Sequence, residues 1–161
     1  MEKDRLKYTI NRFDHYFDSV NNKSAVYIAI NTFITGGIIV ILTQTNIVKD
    51  LIILGQVTVG ILLLTGIVNL IVLSIASIPF FSTKPKSIYY FGAISKMMQT
   101  EFNKTSKNYT EKEELKDLRS QTFILSQGLT KKFTKLKLAG ILLVTQFFML
   151  LLIFITILTN L

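Results

Sequence analysis

The chain has 161 residues, half of them hydrophobic, and its mean hydropathy of +0.46 is high for a soluble globular protein. Its formal net charge is +8. It contains no cysteine and a single histidine, which excludes disulfides and thiol nucleophiles and leaves little from which to build a metal site or a histidine-based catalytic site. We therefore expect no catalytic residues, no metal and no enzymatic activity.

Three stretches without a charged residue are long enough to cross the ~30 Å hydrocarbon core of a bilayer as helices. They are Ser24–Val48, Leu51–Thr83 and Leu138–Leu161. In chain order we predict a single transmembrane domain over residues 1–161, made of a cytosolic helix at 1–23, transmembrane helices at 24–43 and 51–78, a cytosolic segment at 79–137, and a last transmembrane helix at 138–158.

The first long helix is predicted from about Asp4 to about Leu42, because apolar residues recur with helical spacing and no proline interrupts them. The stripe before the membrane consists of Leu6, Ile10, Phe13, Phe17 and Val20. Inside the membrane it continues with the small residues Ala25, Ala29, Thr32 and Gly36, a pattern that lets another helix approach closely.

The second span carries polar residues, of which Thr58, Thr65 and Asn69 share one stripe with Leu62 and Ala76. Uncharged polar side chains are tolerated in lipid when they find partners. Two interpretations stay open: hydrogen bonding between helices, or the lining of a path through an oligomer.

The segment after the second span is the least regular part of the chain. Pro79 and Pro85 end the helix at the membrane surface. The aromatic residues Phe80, Phe81, Tyr89, Tyr90 and Phe91 form either an interfacial belt or, at SIYYF, a short extended stretch. AISKMMQTEF is predicted to form a short amphipathic helix, and the polar stretch NKTSKNYT is predicted to be a loop.

The last long helix is predicted from about Glu111 to about Leu158. Thr110 and Glu113 have the spacing of a capping box. An apolar stripe follows, with Leu115, Leu118, Thr122, Leu125, Leu129 and Leu136 on it, and Gly128 is its weak point. The expected fold is an all-α membrane protein with three transmembrane helices, of which the first and last extend into the cytoplasm as a packed helical bundle.

The basic residues indicate the orientation of the chain in the cell membrane. Seventeen of the eighteen lie before the first span or between the second and third, and the remaining one is Lys49. The positive-inside rule therefore predicts a cytoplasmic N-terminus and an external C-terminus. Because this distribution accounts for the net charge, no nucleic-acid partner is needed to explain it.

Several cations are candidates for binding a ligand phosphate. Arg12, Lys23 and Arg119 lie on the two cytosolic helices that are expected to pack together, and arginine suits a bidentate grip. The cluster Lys131, Lys132, Lys135 and Lys137 has two open interpretations, attraction to anionic lipid and binding of one ligand phosphate.

Three local patterns together resemble a known family. They are Asn21-Asn22-Lys23-Ser24 leading into the first span, Tyr90-Phe91-Gly92 with Ile94 and Ser95 after the second, and Asp117-Leu118, Gln121, Leu125-Ser126, Lys132-Phe133 and Leu136 before the third. In this order and at these distances from the spans they resemble the transmembrane effector domain of Pycsar, the bacterial pyrimidine cyclase system for anti-phage defence.

The resemblance implies an effector activated by cyclic UMP or cyclic CMP made by a neighbouring cyclase. Such an effector impairs the membrane and causes abortive infection, and we expect a homo-oligomer because three spans cannot enclose an aqueous path alone. Many relatives have an acid near Asn21 or Asn22, where this chain has amides, and we expect no appended cyclic-nucleotide-binding domain. The messenger is therefore expected to bind this chain itself, where the two cytosolic helices meet the Tyr89–Phe91 segment that contains Tyr90, or to be sensed by a partner. The rival interpretations are a non-signalling scaffold or assembly subunit and, less favoured, a membrane enzyme.

Overall fold

The structure is a computed structural model that describes residues 1–44, 53–80 and 87–159. Within these ranges the chain forms five helices and no strand: α1 (Glu2–Gln44), α2 (Ile53–Ser77), α3 (Phe91–Ile94), α4 (Gln99–Lys107) and α5 (Glu111–Thr159). Helices α1, α2 and α5 are each long and apolar enough to cross a membrane. The predicted all-α membrane fold with three spans is confirmed, and both long helices are continuous.

The described chain divides into two compact units, and each long helix contributes to both. The polar unit consists of Met1–Ser19 and Pro79–Lys131, and the apolar unit consists of Val20–Ile78 and Lys132–Leu161. The first contains most of the charged residues, whereas the second contains the charge-free runs. The change from charged to apolar sequence along α1 therefore coincides with a change from one packing unit to the other.

The polar unit packs along the two stripes that the sequence predicted. Leu6, Ile10, Phe13 and Phe17 are half-buried on α1, and on α5 Leu118 and Leu129 are buried. The ring of Phe80 stacks on Phe17 with a centroid separation of 6.5 Å. A Cβ at Gly128 would lie 2.6 Å from Phe80 Cδ1, so the glycine that weakens the helix makes room for this ring.

The start of α5 is the predicted capping box. The Glu113 backbone N–H donates to Thr110 Oγ1 at 3.3 Å, and the Thr110 N–H donates to Glu113 Oε2 at 2.8 Å. The two bonds satisfy amide groups that a helix N-terminus otherwise leaves without partners, and the hydrogen bond from the Thr110 N–H lowers the pKa of the Glu113 carboxyl.

The connecting segment differs from the prediction. The single amphipathic helix expected at AISKMMQTEF is broken, because α3 ends at Ile94 and α4 begins only at Gln99. The loop expected at NKTSKNYT is wrong for residues 103–107, which belong to α4. Glu101 in its first turn and Lys104 and Lys107 in its last turn complement the helix dipole, which favours helix in a stretch that is polar throughout.

The apolar unit packs α1, α2 and α5 around a small core of aliphatic side chains. Its buried residues are Ile34, Ile38, Val59, Leu62 and Leu143. Many outward-facing side chains are also large and apolar, for example Phe33 at 83% and Val144 at 69% exposure. This distribution is typical of helices surrounded by lipid, where close packing and not the removal of water holds the helices together.

Within the described part of the chain, the small-residue stripe of α1 does not pack against the other spans. Ala25, Ala29 and Thr32 are exposed, and a Cβ at Gly36 would meet no described atom within 4 Å. The buried face of α1 carries Ser24, Asn31, Ile34, Thr35 and Ile38. A role for the small stripe between copies of the chain stays a prediction.

Candidate functional site

The four residues predicted to bind the messenger lie in different surroundings. Arg119 forms a bidentate pair with Glu2, with both N–O distances 2.8 Å. Arg12 lies over the rings of Tyr8 and Tyr16, and Tyr90 packs on Phe91 with ring centroids 5.1 Å apart. Lys23 belongs to the apolar unit. Within the polar unit, Arg12 and Arg119 therefore have partners of their own.

A buried hydrogen-bond network holds the segment before α3 against α5. The Ser87 hydroxyl is fully buried and donates to Asp117 Oδ2 at 2.8 Å. Its oxygen accepts from the backbone N–H groups of Tyr89 and Tyr90. Gln121 Nε2 donates both to Ser87 Oγ and to Asp117 Oδ1, at 2.9 and 3.0 Å. The network closes the turn at 87–90 and fixes the Gln121 side chain.

The same carboxylate also orders the chain before α5. The Tyr109 hydroxyl donates to Asp117 Oδ2 at 3.2 Å, and its ring lies edge-on to Tyr89 at 6.5 Å. Burial, together with the charge of Asp117, raises the pKa of Tyr109 to about 12. Tyr109 therefore remains a neutral hydrogen-bond donor at physiological pH.

Glu114 links α1 to the aromatic turn. Its Oε2 accepts from Lys3 Nζ at 2.6 Å, and its Oε1 accepts from the Tyr89 hydroxyl at 3.1 Å. Lys7 Nζ lies 3.6 Å from the same Oε1. The hydrogen bond from Lys3 holds the pKa of the Glu114 carboxyl below its usual range. Because Lys3 makes the close contact, the ammonium of Lys7 is the less engaged of the two.

A groove of about 310 Å³ opens between these elements, all within the polar unit. Its lining residues combine one cation, two amides, one carboxylate, one aromatic ring and two aliphatic side chains: Lys7, Asn11, Gln121, Asp14, Tyr89, Ile10 and Leu118. This volume lies at the lower end of the range for small-molecule sites, and the mixture of apolar walls with a few polar groups is typical of them.

The groups in the groove differ in charge and hydrogen-bonding capacity. Both amide protons of Gln121 are committed to Ser87 and Asp117, which leaves its carbonyl oxygen as the acceptor. Burial and the neighbouring Asp18 raise the pKa of the Asp14 carboxyl. The groove thus has a positive group at Lys7 and acceptors at Asp14 and Gln121.

The apolar unit contains a layer of buried amides. Asn31 Nδ2 donates to the Gly66 carbonyl oxygen at 2.9 Å, and Asn69 Nδ2 donates to Asn31 Oδ1 at 3.3 Å. Asn31, Asn69 and Gln146 are all fully buried. Among the described residues, no partner is found for Asn69 Oδ1, Thr35 Oγ1 or either polar atom of Gln146.

The three polar residues proposed to line a path therefore lie in different surroundings. Asn69 lies in the buried layer, whereas Thr58 and Thr65 are half-buried and donate to the carbonyl oxygens of Leu54 and Ile61 one turn earlier in α2. Hydrogen bonding between helices is what the structure shows for Asn69. A lining role for the two threonines stays a prediction.

One lysine of the basic cluster is buried. Lys132 is 7% exposed, and its Nζ donates to the Ala76 carbonyl oxygen at 2.8 Å and to Asn21 Oδ1 at 3.2 Å. Ala76 lies in the last turn of α2, where carbonyl groups have no helical partner. Lys132 therefore caps α2. The neutral amide of Asn21 accepts a hydrogen bond from its ammonium, whereas an acid at that position would form an ion pair with it.

Sequence reasoning placed the ligand at the segment that contains Tyr89, but it missed Lys7, Asn11 and Asp14 as lining residues of the groove. Asn11 and Asp14 lie three residues apart on α1, as do Leu118 and Gln121 on α5, and these i, i+3 pairs were the available signal. Which two faces meet depends on the packing of α1 against α5. Sequence spacing alone cannot supply it.

Comparison with protein families assigns a family to almost the whole chain. A family model described as the Pycsar effector protein domain, PycTM, matches residues 5–159. Searches of curated proteins and of solved structures gave no match. The matched range includes two of the three candidate membrane-spanning helices, all but the first three residues of the other, and nearly all of the polar unit. The chain therefore belongs to the PycTM family, the membrane effectors of Pycsar anti-phage defence.

Proposed function

We infer that the polar unit binds a cyclic pyrimidine mononucleotide, cUMP or cCMP, and that binding switches the membrane helices to a state that impairs the cell membrane. Growth then stops before phage are released, which is abortive infection. The observation that carries the inference is the groove lined by Lys7, Asn11, Asp14, Tyr89 and Gln121 in a chain of the PycTM family. The positive-inside rule favours a cytoplasmic location for this unit, where a cyclase product would reach it.

The chemistry of the groove fits such a ligand. A cyclic mononucleotide is a monoanion with a flat base, so it needs a cation, an apolar surface and a few hydrogen bonds. Lys7 supplies the cation, and the Tyr89 ring with Ile10 and Leu118 supplies the surface. This arrangement moves the expected phosphate contact from Arg119, which is paired with Glu2, to Lys7.

The acceptors in the groove favour cytosine over uracil. The exocyclic amine of cytosine donates to a carboxylate or carbonyl oxygen, whereas uracil presents an acceptor at the same place. Asp14 and the Gln121 carbonyl oxygen are such acceptors. We therefore expect cCMP to bind more tightly than cUMP. Asp14→Asn should reduce this difference in affinity.

Binding must favour one arrangement of the helices, because a ligand with equal affinity for two states shifts neither. The ligand would contact α1, α5 and the Tyr89 turn together. Both long helices continue into the apolar unit, which gives the messenger a mechanical connection to the membrane spans. Assembly of several copies is expected, since three spans do not enclose an aqueous path.

The test is co-expression with a pyrimidine cyclase while a potential-sensitive dye reports membrane depolarisation. The active cyclase should depolarise the cells, and a catalytically dead cyclase should not. Lys7→Gln should raise the messenger concentration needed by about 10- to 150-fold, which corresponds to a charge-assisted hydrogen bond of ~1.5–3 kcal/mol.

Lys3→Gln is the matched control, because Lys3 contacts the same Glu114 but does not line the groove. An equal loss of messenger sensitivity in the two variants would mean that the charge of Lys7 acts through Glu114. A loss of sensitivity in Arg119→Ala would indicate that Arg119 binds the phosphate, as the sequence predicts. Equal depolarisation with active and dead cyclase would contradict messenger gating and favour a scaffold or a constitutive pore.

A further inference from the structure

A second groove lies wholly within the apolar unit, between α1 and α5. It has a volume of about 530 Å³, and its lining includes Lys23, Tyr27, Lys137, Gly140, Ile141 and Val144. Helix α5 approaches α1 closely here, since a Cβ at Gly140 would lie 3.4 Å from Tyr27 Cε2. The groove is charged at one end and apolar along the rest of its length.

The charged end lies where the chain enters its apolar runs. Lys23 directly precedes the charge-free run that starts at Ser24, and Lys137 directly precedes the one that starts at Leu138. Both lysines are exposed, and within the described ranges neither ammonium has a carboxylate partner. Two ammonium groups at the edge of a membrane span stand at the depth of lipid head groups.

The apolar part of the groove matches an acyl chain. From Lys137 to Thr145, the last lining residue of α5, the helix rises about 12 Å at 1.5 Å per residue. One leaflet of a ~30 Å hydrocarbon core is of similar depth. Ile141 and Val144 line this part, and no carboxylate is among the lining residues.

We propose that this groove is a binding site for an anionic phospholipid, whose phosphate lies between Lys23 and Lys137 and whose acyl chain follows Gly140, Ile141 and Val144. A cyclic nucleotide suits it less well than the groove at Lys7, because no amide or carboxylate side chain of the described residues lines it to hydrogen-bond a base. The proposal also reassigns Lys23 from the messenger to the membrane. It does not depend on the proposed function, and either can fail without the other.

The site can be tested with a tryptophan reporter, because the chain contains no tryptophan. Phe133 lines the same groove, so Phe133→Trp places the reporter there with little change in shape. The variant is reconstituted in phosphatidylcholine vesicles that contain increasing fractions of brominated phosphatidylglycerol or brominated phosphatidylcholine. The anionic lipid should half-quench the tryptophan at a several-fold lower fraction, up to about 30-fold if each lysine contributes ~1 kcal/mol.

Charge variants separate a defined site from general attraction. Lys23→Gln with Lys137→Gln should abolish the preference for phosphatidylglycerol. Lys116→Gln with Lys131→Gln, which removes two exposed charges from α5 outside the groove, should leave it intact. Gly140→Leu should weaken quenching by both lipids, because it fills the apolar part.

Three results would overturn the proposal. The preference for phosphatidylglycerol could survive the loss of Lys23 and Lys137, or the control pair could lose that preference equally. Inorganic phosphate could also relieve the quenching, which would show a site for a free anion. Circular dichroism checks that each variant is folded. If the double variant unfolds, Lys137→Gln alone should still lower the preference, whereas Lys137→Arg should retain it.

Discussion

The two units treat their buried polar groups in opposite ways. In the polar unit, Ser87 and Asp117 are buried at the centre of a network in which each makes several hydrogen bonds. In the apolar unit, Asn69, Thr35 and Gln146 retain polar atoms without partners among the described residues. A network whose hydrogen bonds are all made stabilises one packing of its side chains. Unpartnered polar groups in a low-dielectric interior destabilise the packing in which they lie, so another packing can replace it more easily.

This difference suits an effector of the PycTM family. A rigid frame around a groove preserves the positions of its lining side chains, which favours selective binding. If the proposed function is right, the membrane helices repack when the messenger binds, and such a change requires a resting state that is not too stable. Substitutions at Asp117, Gly66 and Gln146 test this difference between the two units.

The largest effect is expected from Asp117→Ala. Ser87, Tyr109 and Gln121 would lose a shared acceptor, and buried donors without partners cost ~1–3 kcal/mol each, so we expect a loss of about 3 kcal/mol from the polar unit. Hydrogen–deuterium exchange of the amides at 87–90 measures it. Asp18→Ala, on the exposed face of α1, is the control, and unchanged exchange in Asp117→Ala would show that the network does not hold the turn.

A smaller loss is expected from Gly66→Ala in the apolar unit. The new Cβ would collide with Thr35 Oγ1 and lie 2.8 Å from Gln146 Nε2, so the helices must separate at a cost of about 1–3 kcal/mol. The thermal midpoint in detergent measures it. Gly60→Ala, whose Cβ meets nothing within 4 Å, should be neutral or slightly stabilising. Equal effects of the two would contradict the close approach at Gly66.

The smallest change in stability is expected from Gln146→Met, and it should be a gain, not a loss. It removes two buried polar atoms without partners at nearly constant volume, so stability should rise by about 1 kcal/mol. Asn31→Leu, in contrast, should destabilise the protein, because Asn31 both donates to Gly66 and accepts from Asn69. Urea unfolding in mixed micelles compares them. A destabilised Gln146→Met variant would mean that Gln146 has partners in solution, such as buried water.

Much of the fold follows from local sequence signals. The three charge-free runs, the capping box at Thr110 and Glu113, and the stripes of α1 and α5 each depend on residues within one element. The failures occurred where local signals are weak. At α4 the polar composition indicated a loop, and only the placement of charges at the two ends of the helix argued otherwise.

The candidate sites were harder to predict, because they depend on which faces meet. Sequence reasoning identified Arg119 as a cation, but it did not show that Glu2 accepts hydrogen bonds from its Nε and Nη2. It placed Lys132 in a basic cluster, although the side chain turns inward to cap α2. It selected the small residues of α1 for packing, whereas the face that packs within the chain carries Asn31 and Thr35.

Hydropathy, periodicity and motif order are properties of the chain, so the sequence alone predicts the number of spans, the extent of both long helices and the membership of the PycTM family. Which polar groups are satisfied and which cations remain available depends on the tertiary structure. Lys7 and Lys23 look like any other lysine in the sequence. Only the packing of α1 and α5 places Lys7 beside amides and an aromatic ring, and Lys23 at the end of an apolar groove, since contacts between distant residues depend on how helices pack.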